Sequence, residues 1–222
     1  MATFLRSLSY RYQWLFDLIV GVSSFVVGGE PRFRQLPLEG LKIAPEMKVL
    51  DLCCGSGQGT QYLVERSHHV IGLDADLVPL QRAKQRVPRA QYVQAWAERM
   101  PFSDHEFDIV YTSATLHEMQ PDQCLQILQE VHRVLKPGGC FTQVDFHRPK
   151  NPLLRLNLYL FLWLFENETA WSFVCLDLLD VLPKTGFEVR QFKLYAGGSL
   201  QLIQACKVSD QSVDLTKDSN PI

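Results

Sequence analysis

The chain has 222 residues, of which 46% are hydrophobic and 21% are charged, and its formal net charge is −2. This length suits one α/β domain with short appendages, and this composition is ordinary for a globular protein in water. The near-neutral charge excludes the strongly basic face on which nucleic-acid binding usually depends, so we predict no nucleic-acid partner.

The six cysteines show neither a C-x-x-C pair nor a Cys/His cluster at the spacing of a zinc site, so we predict no metal. Five of them lie in apolar runs: Cys53, Cys124, Cys140, Cys175 and Cys206. This placement favours buried free thiols in a reducing compartment.

Residues 1–44 are predicted to form a helical cap that is rich in aromatic side chains. Its aromatic residues include Tyr10, Tyr12, Trp14, Phe16 and Phe25. One alternative is that the cap packs on the edge of the sheet. The other is that it covers an apolar substrate and contacts a membrane surface as an interfacial amphipathic segment. As a helix, the apolar run 14–27 would reach roughly 21 Å, short of the ~30 Å hydrocarbon core. We therefore predict neither a membrane span nor a cleaved signal peptide.

The stretch 48–60, Lys-Val-Leu-Asp-Leu-Cys-Cys-Gly-Ser-Gly-Gln-Gly-Thr, predicts a buried strand, a glycine turn and the start of a helix. Its three glycines let the backbone approach a ligand closely, and the free N–H groups of the helix start face that ligand. Thr60 stands where a dinucleotide fingerprint needs its third glycine, and no lysine lies in the turn. A dinucleotide site and a P-loop are therefore both excluded.

Two carboxylates indicate the ligand instead. Asp51 lies inside the first strand, where it suits a ligand ammonium group, and Asp74 ends the next apolar run. A carboxylate at the second position suits a ribose diol, because it accepts hydrogen bonds from two vicinal hydroxyls. The pair suits a nucleoside that carries an amino-acid tail.

The segments D-L-C-C-G-S-G-Q-G-T and V-I-G-L-D-A-D resemble motifs I and II of the class I S-adenosylmethionine-dependent methyltransferases. The resemblance extends over roughly residues 45–207. It implies an α/β fold with a Rossmann-like seven-stranded sheet, mostly parallel, with an antiparallel C-terminal hairpin and helices on both faces. It also implies S-adenosylmethionine as the methyl donor.

The pattern between residues 48 and 146 alternates strand and helix, which favours a parallel sheet with helices on both faces. Strands are predicted at 48–53, 69–74, 90–95, 107–112 and 140–146, and helices at 58–66, 77–87 and 122–135. The last of these helices is expected to stop at Lys136-Pro137-Gly138-Gly139.

Residues 148–168 interrupt this alternation as an apolar insert. The run 158–165 predicts a helix that is apolar all round, and such a helix must be buried or face something apolar. A helix at 169–183 and a hairpin of strands at 187–195 and 200–207 complete the domain 45–207. The polar residues 208–222 are predicted to be a disordered tail.

Ligands of doubly wound sheets bind at the carboxyl ends of the strands. After the third strand, Trp96 stands where the resembled family has an Asp that bonds the adenine amino group. Trp96 therefore either stacks on the purine or lies in the core, and Glu98 is an alternative hydrogen-bonding residue. The backbone N–H of Ala97 is available in either case.

Two histidines, His117 and His147, follow the fourth and fifth strands. An imidazole with its ordinary pKa of ~6.5 is neutral at pH 7 and can accept a proton, so both are candidate catalytic residues. The alternative for each is a hydrogen bond that braces its loop. In methyl transfer, holding the acceptor in line with the methyl group contributes more to the rate than a general base does. A single catalytic residue is therefore not required.

The predicted cofactor-binding residues are Asp51, Cys54, Gly55, Ser56, Gly57, Asp74, Ala75, Trp96, Ala97, Glu98 and Ser113.

The methyl acceptor is predicted from two apolar segments, the aromatic cap 1–44 and the apolar run 158–165. A small lipophilic molecule, such as a prenylated quinol or phenol, would suit both. Arg148, Lys150 and Arg155 surround the second segment. The core also resembles the ubiquinone/menaquinone C-methyltransferases, but residues 113–119 (Ser-Ala-Thr-Leu-His-Glu-Met) replace that family's Gly-Leu-Arg-Asn signature.

Several alternatives remain open. The acceptor is instead a soluble O- or N-nucleophile, or the protein binds S-adenosylmethionine without catalysis and regulates a partner. The two apolar segments alternatively bury each other or form a dimer interface. We expect a cytoplasmic protein, with peripheral contact to a membrane surface as an open option, and we make no prediction of the oligomeric state.

Overall fold

A seven-stranded sheet forms the centre of the part of the chain that the computed structural model describes, residues 25–208. The strands are β1 (Lys48–Leu52), β2 (His69–Asp74), β3 (Gln91–Gln94), β4 (Phe107–Ser113), β5 (Leu135–Phe146), β6 (Phe187–Tyr195) and β7 (Leu200–Lys207). Most of the predicted cap and nearly all of the predicted tail lie outside the described residues.

The strand order is β3-β2-β1-β4-β5-β7-β6. The first five strands in this order run parallel, and β7 runs antiparallel to both β5 and β6. The predicted fold class is confirmed, including the C-terminal hairpin. The order reverses between β1 and β4, and ligands of open α/β sheets bind outside the carboxyl ends of the strands at such a switch point.

Helices connect the strands. They are α1 (Glu30–Gln35), α2 (Thr60–Leu63), α3 (Leu77–Arg86), α4 (Pro121–Val134), α5 (Pro152–Phe165), α6 (Glu168–Phe173) and α7 (Leu178–Lys184). Short 3₁₀ turns cover Phe25–Val27, Leu36–Leu38, Leu116–Glu118 and Ala196–Gly198.

Three predicted boundaries are wrong. The helix after β1 is a single turn, shorter than 58–66. Strand β5 begins at Leu135, directly after α4, because Leu135 pairs with Phe107 and a register shift accommodates the next residues. The helix predicted at 169–183 is two helices, because the side chain of Asp177 accepts from the N–H of Leu179 and so starts a new helix.

The two faces of the sheet bury separate cores. Leu50 belongs to the core beneath α4 and α7, while its neighbour Val49 belongs to the core that includes Leu63. This alternation follows from the two-residue period of a strand. The core strands are therefore buried on both sides, and their ends at the switch point are held rigidly.

The cysteine prediction is wrong in two respects. Cys140 and Cys206 lie opposite each other on β5 and β7 and are joined as a disulfide, so they are not free thiols. Cys175 is a free thiol but is exposed. Cys54 and Cys124 are buried free thiols, and Cys53 is half-buried.

Candidate active site

The glycine turn after β1 brings backbone to the edge of the sheet. Cys53 and Gly55 both have a φ of 54°, and Gly57 has a φ of 80°. The N–H of Gly57 donates to the carbonyl of Cys54 at 2.9 Å, which closes the turn. A Cβ at Gly57 would meet Ala83 of α3 at 3.3 Å, so glycine is needed both for the conformation and for the packing.

Asp51 is buried beneath this turn, with 2% of its surface exposed. The hydroxyl of Thr60 donates to its carboxylate at 2.6 Å. Burial raises the pKa of Asp51 to about 7, against the hydrogen bond from Thr60 and the charge of Arg34, which lower it. Burying an ionised carboxylate costs free energy unless the charge is paired. A cationic group of a ligand would therefore stabilise the ionised form of Asp51.

Asp74 joins the first two loops. One carboxylate oxygen accepts from the N–H of Gly55 at 2.8 Å, and the other accepts from the N–H of Asp76 at 3.0 Å. Burial raises its pKa, against the two backbone bonds, which lower it. Each carboxylate oxygen has a second lone pair, so these bonds leave capacity for ligand hydroxyls.

Acidic side chains converge on the space around Cys53. Burial, and after it the charges of Asp74, Glu118, Asp51 and Glu98, raise the pKa of the Cys53 thiol. Two of these carboxylates lie at the ends of β1 and β2, and two lie in the segments that follow β3 and β4, so four parts of the chain act on one point at the sheet edge. Such a concentration of negative charge attracts a cationic ligand.

Arg34 acts electrostatically on Asp51 and was not predicted as a site residue. It is nine-tenths buried, and its Nη1 donates to the carbonyl and the hydroxyl of Ser113 at 3.0 and 2.8 Å. Its backbone carbonyl accepts from the hydroxyl of the buried Tyr111 at 2.7 Å. Its Nε has no hydrogen-bond partner among the described residues and lies 3.6 Å from Glu30.

The other residues predicted in the first two loops lie at this edge. The thiol of Cys54 is buried and faces back toward Gly72, not toward the loop surface. Ser56 is buried within the glycine turn. Ala75 is half-buried, and its carbonyl accepts from Gln94 at 3.0 Å.

The loop after β3 places Trp96 in the open. Its side chain is 70% exposed, so the alternative that Trp96 lies in the core is wrong. Ala97 is buried beneath it. Glu98 is half-buried and accepts from the side-chain amide of Gln123 on α4 at 3.0 Å. An exposed indole beside a buried backbone is free to stack on a planar ligand.

His117 forms a buried pair with Asp145, the last polar residue of β5. The His117 Nδ1 and the Asp145 Oδ1 lie 2.6 Å apart. The second oxygen of Asp145 accepts from the N–H groups of Thr115 and His117 at 3.1 and 3.2 Å. Asp145 thus fixes both the ring and the loop that carries it. A carboxylate accepts, so Nδ1 carries a proton and Nε2 is the atom that can face a substrate.

The surroundings of His117 are aromatic and acidic. The ring centroids of Phe146 and Phe173 lie 4.6 and 6.5 Å from that of His117, and Nε2 lies 3.8 Å from Glu166. Burial disfavours the imidazolium, but the Asp145 charge and hydrogen bond, with Glu166, raise the pKa of His117 to about 9. The expectation of a neutral imidazole at pH 7 is therefore wrong for this histidine.

His147 braces two segments. Its Nδ1 donates to the carbonyl of Gly198 at 2.7 Å, and its backbone N–H donates to Ser199 at 2.9 Å. This contact leaves the Nε2 of the ring unused. Its catalytic role stays a prediction.

Two residues of the site, Asp145 and Arg34, were missed. Asp145 shares one sequence signal with Asp51, because each is an acid in the next-to-last position of its strand. Arg34 carries no such signal, because its place near the site depends on how α1 packs against β4.

Neither a metal nor a membrane span is seen in the described part of the chain. Between residues 25 and 208, no group of three or more His, Cys, Asp or Glu side chains is placed to hold a metal ion. Of the helices between those same limits, none combines the length and the apolar character that crossing a bilayer requires.

Comparison with known sequences identifies the family of this chain. Residues 49–139 match the family described as methyltransferase domain. The chain is 54% identical over 205 residues to an uncharacterized methyltransferase of Synechocystis sp., covering 92% of this chain and 97% of that one. It is 41% identical over 124 residues to the 2-phytyl-1,4-naphtoquinone methyltransferase of Nostoc punctiforme, covering 51% and 53% of the two chains. It is 33% identical over 160 residues to the demethylmenaquinone methyltransferase of Lactiplantibacillus plantarum, covering 66% and 67%.

Solved structures share the fold at low sequence identity. An S-adenosylmethionine-dependent methyltransferase from Mesorhizobium loti has a TM-score of 0.61 at 20% identity, covering 82% of this chain and all of that one. The [4+2]-cyclase SpnF has a TM-score of 0.65 at 17% identity, covering 94% and 98%. These two likenesses concern the fold alone, and the second shows that this fold also supports a cyclisation.

Proposed function

The chain belongs to the class I S-adenosylmethionine-dependent methyltransferases, and we propose that its methyl acceptor is a small lipophilic molecule of the prenylated quinol or phenol type. The observation that carries this proposal is the aromatic packing of Phe146 and Phe173 around His117, on the segment that follows β4. Two relatives are named as methyltransferases of a phytyl-naphthoquinone and of demethylmenaquinone, and these names support the same class of acceptor. Such acceptors reside in membranes, so the proposal includes peripheral contact with a membrane surface.

The cofactor site would bind the amino-acid tail of S-adenosylmethionine through two side chains of opposite charge. Asp51 would bind the ammonium group, since this carboxylate is buried and short of cationic partners. Arg34 would bind the carboxylate, since its guanidinium is held at Ser113, and its Nε has only the ion pair with Glu30 at 3.6 Å among the described residues. The charge of Arg34 lowers the pKa of Asp51, so the two side chains interact electrostatically.

The other predicted residues would hold the nucleoside. Asp74 would accept hydrogen bonds from the ribose hydroxyls, and the backbone of Gly55 and Gly57 leaves room for the ligand to approach. Trp96 would stack on the adenine, with Ala97 and Glu98 as hydrogen-bonding groups. When bound, the donor supplies an activated methyl group on a sulfonium cation.

His117 would orient the acceptor as an imidazolium. Its Nδ1 is held by Asp145, so its Nε2–H would donate to an acceptor oxygen and favour the anionic, more nucleophilic form of a phenol or quinol. At a pKa of about 9 the ring is protonated at neutral pH. Activity should therefore fall as the pH rises through about 9, whereas a general base would make it rise. His147 remains a second candidate for accepting a proton.

The test is methyl transfer. Purified protein would be incubated with S-adenosylmethionine labelled on its methyl group, together with either a membrane lipid extract or a pool of polar metabolites. We expect label in the lipid phase, and less of it for His117→Asn at unchanged cofactor affinity. Label confined to polar products would refute the lipophilic acceptor. Calorimetric binding of S-adenosylmethionine without transfer to either pool would instead indicate a regulatory protein.

A further inference from the structure

The outward face of helix α5 is apolar, although it faces solvent. Leu153, Leu156, Leu160 and Trp163 are 73%, 65%, 53% and 66% exposed. These positions are three or four residues apart, so they form one stripe along about 15 Å of helix. The opposite face packs inward through Leu158 and Leu162, which are buried.

The stripe places apolar side chains where an ordinary surface helix has polar ones. A helix that packs on a protein core normally turns polar side chains to water. Four large apolar side chains in a row form an exposed patch of the kind that marks an interaction site. Of the two alternatives predicted for this apolar helix, complete burial is wrong for its outer half, and contact with something apolar stays a prediction.

The charges around α5 favour an anionic surface. The exposed Arg148 and Lys150 stand just before the helix, and no acidic residue lies within Pro152–Phe165. The first acids, Glu166 and Glu168, follow its other end. A basic end, a leucine stripe and an indole are the composition of a helix that lies in the headgroup region of a bilayer.

The inner side of α5 is continuous with the candidate active site. The ring of Phe161 packs on that of Phe146 with centroids 5.8 Å apart, and Phe146 packs on His117. Glu166, which caps the helix, lies 3.8 Å from the Nε2 of His117. One helix width therefore separates the stripe from the residue proposed to orient the acceptor.

We propose that the stripe of α5 docks on the surface of an anionic lipid bilayer, with Arg148 and Lys150 on the headgroups. Leu153, Leu156, Leu160 and Trp163 enter the apolar boundary of the bilayer. A lipophilic acceptor then reaches His117 from the bilayer by passing α5. The route of the acceptor rests on the function proposed above, but the docking itself does not.

The test is sedimentation with lipid vesicles, in the absence of donor and acceptor. Vesicles of phosphatidylcholine alone are compared with vesicles that also contain phosphatidylglycerol, at low and high salt. The wild-type chain should bind the anionic vesicles more tightly, and salt should weaken the binding. Leu156→Glu and Leu160→Glu should each weaken it at least about tenfold. Leu125→Glu, at a leucine that is 41% exposed on α4, is the matched control and should bind as the wild type does.

The charges are tested separately. Arg148→Gln and Lys150→Gln should each weaken binding to the anionic vesicles about fivefold and leave binding to neutral vesicles unchanged. Lys84→Gln, at an exposed lysine of α3, is the control for charge.

Four results would overturn the docking proposal. They are absence of wild-type binding to either vesicle, equal effects of Leu156→Glu and Leu125→Glu, dissociation of a dimer by Leu156→Glu, and loss of thermal stability in that variant. The third would assign the stripe to a second copy of the chain, and the fourth would mean that another part of the protein covers it. Failure of methyl transfer to a detergent-solubilised acceptor would refute the function but leave the vesicle result intact.

Discussion

The pair of His117 and Asp145 should make the free energy of unfolding fall as the pH rises from 7 to 10. The pKa of His117 is raised from 6.5 to about 9 in the folded chain, so the folded state holds this proton more tightly than the unfolded state. The resulting stabilisation is fully present below the unfolded pKa and is lost as the pH rises through about 9.

The size of the effect follows from the two pKa values. At pH 7 the difference corresponds to about 2.5 kcal/mol, and by pH 10 almost none remains. Both partners are buried, with side-chain exposures of 5% and 2%, so solvent screens this interaction little. Buried cysteines also destabilise the fold at high pH, but they do so equally in a His117 variant.

Urea unfolding of the wild type and of His117→Asn, followed between pH 6 and pH 10, would measure the effect. Asparagine can still donate to Asp145 but cannot carry the charge. The difference between the two proteins should shrink by about 2.5 kcal/mol between pH 7 and pH 10. The exposed His69→Asn is the control and should follow the wild type. A constant difference between wild type and His117→Asn would refute the charged pair.

Three further predictions concern the cofactor site. Below pH 7 the affinity for S-adenosylmethionine should fall by up to about tenfold per pH unit, because the free Asp51 carboxyl is then protonated; calorimetry on Asp51→Asn should show weaker, pH-independent binding. Trp96→Leu should weaken binding about threefold to tenfold and remove most of the ligand-induced fluorescence change, while Trp163→Phe should leave the affinity unchanged. Gly59→Ala should lower stability by about 1–3 kcal/mol, since the added Cβ would lie 2.7 Å from the buried Tyr111 ring; a thermal midpoint equal to that of the wild type would contradict this packing argument.

Much of the fold was predictable because its signals are local. The strand β1, the glycine turn and Asp74 are read from a run of apolar residues, a cluster of glycines and an acid at a strand end. The hairpin of β6 and β7 is read from alternation around Ala196–Gly198. Each of these patterns reflects a backbone requirement that few residue types satisfy.

The rest depends on contacts between distant parts of the chain. Cys140 and Cys206 are separated by 66 residues and meet only because β7 enters the sheet beside β5. The outer face of α5 could not be distinguished from its inner face, because leucines and aromatic residues occupy both. The pKa of His117 could not be predicted either, since Glu166 reaches it from the end of another helix.

The two buried acids at the sheet edge show why residue type alone does not give function. Asp145 is saturated by its own chain, because it accepts from the ring and the N–H of His117 and from the N–H groups of Thr115 and Phe146. Asp51 is bonded by Thr60 alone among the described residues, and burial raises its pKa to about 7. A carboxylate whose bonds are complete serves to hold other groups, whereas one that is buried and incompletely paired is stabilised by a cation from outside. The same residue type at equivalent strand ends therefore positions His117 in one case and is suited to bind a ligand in the other.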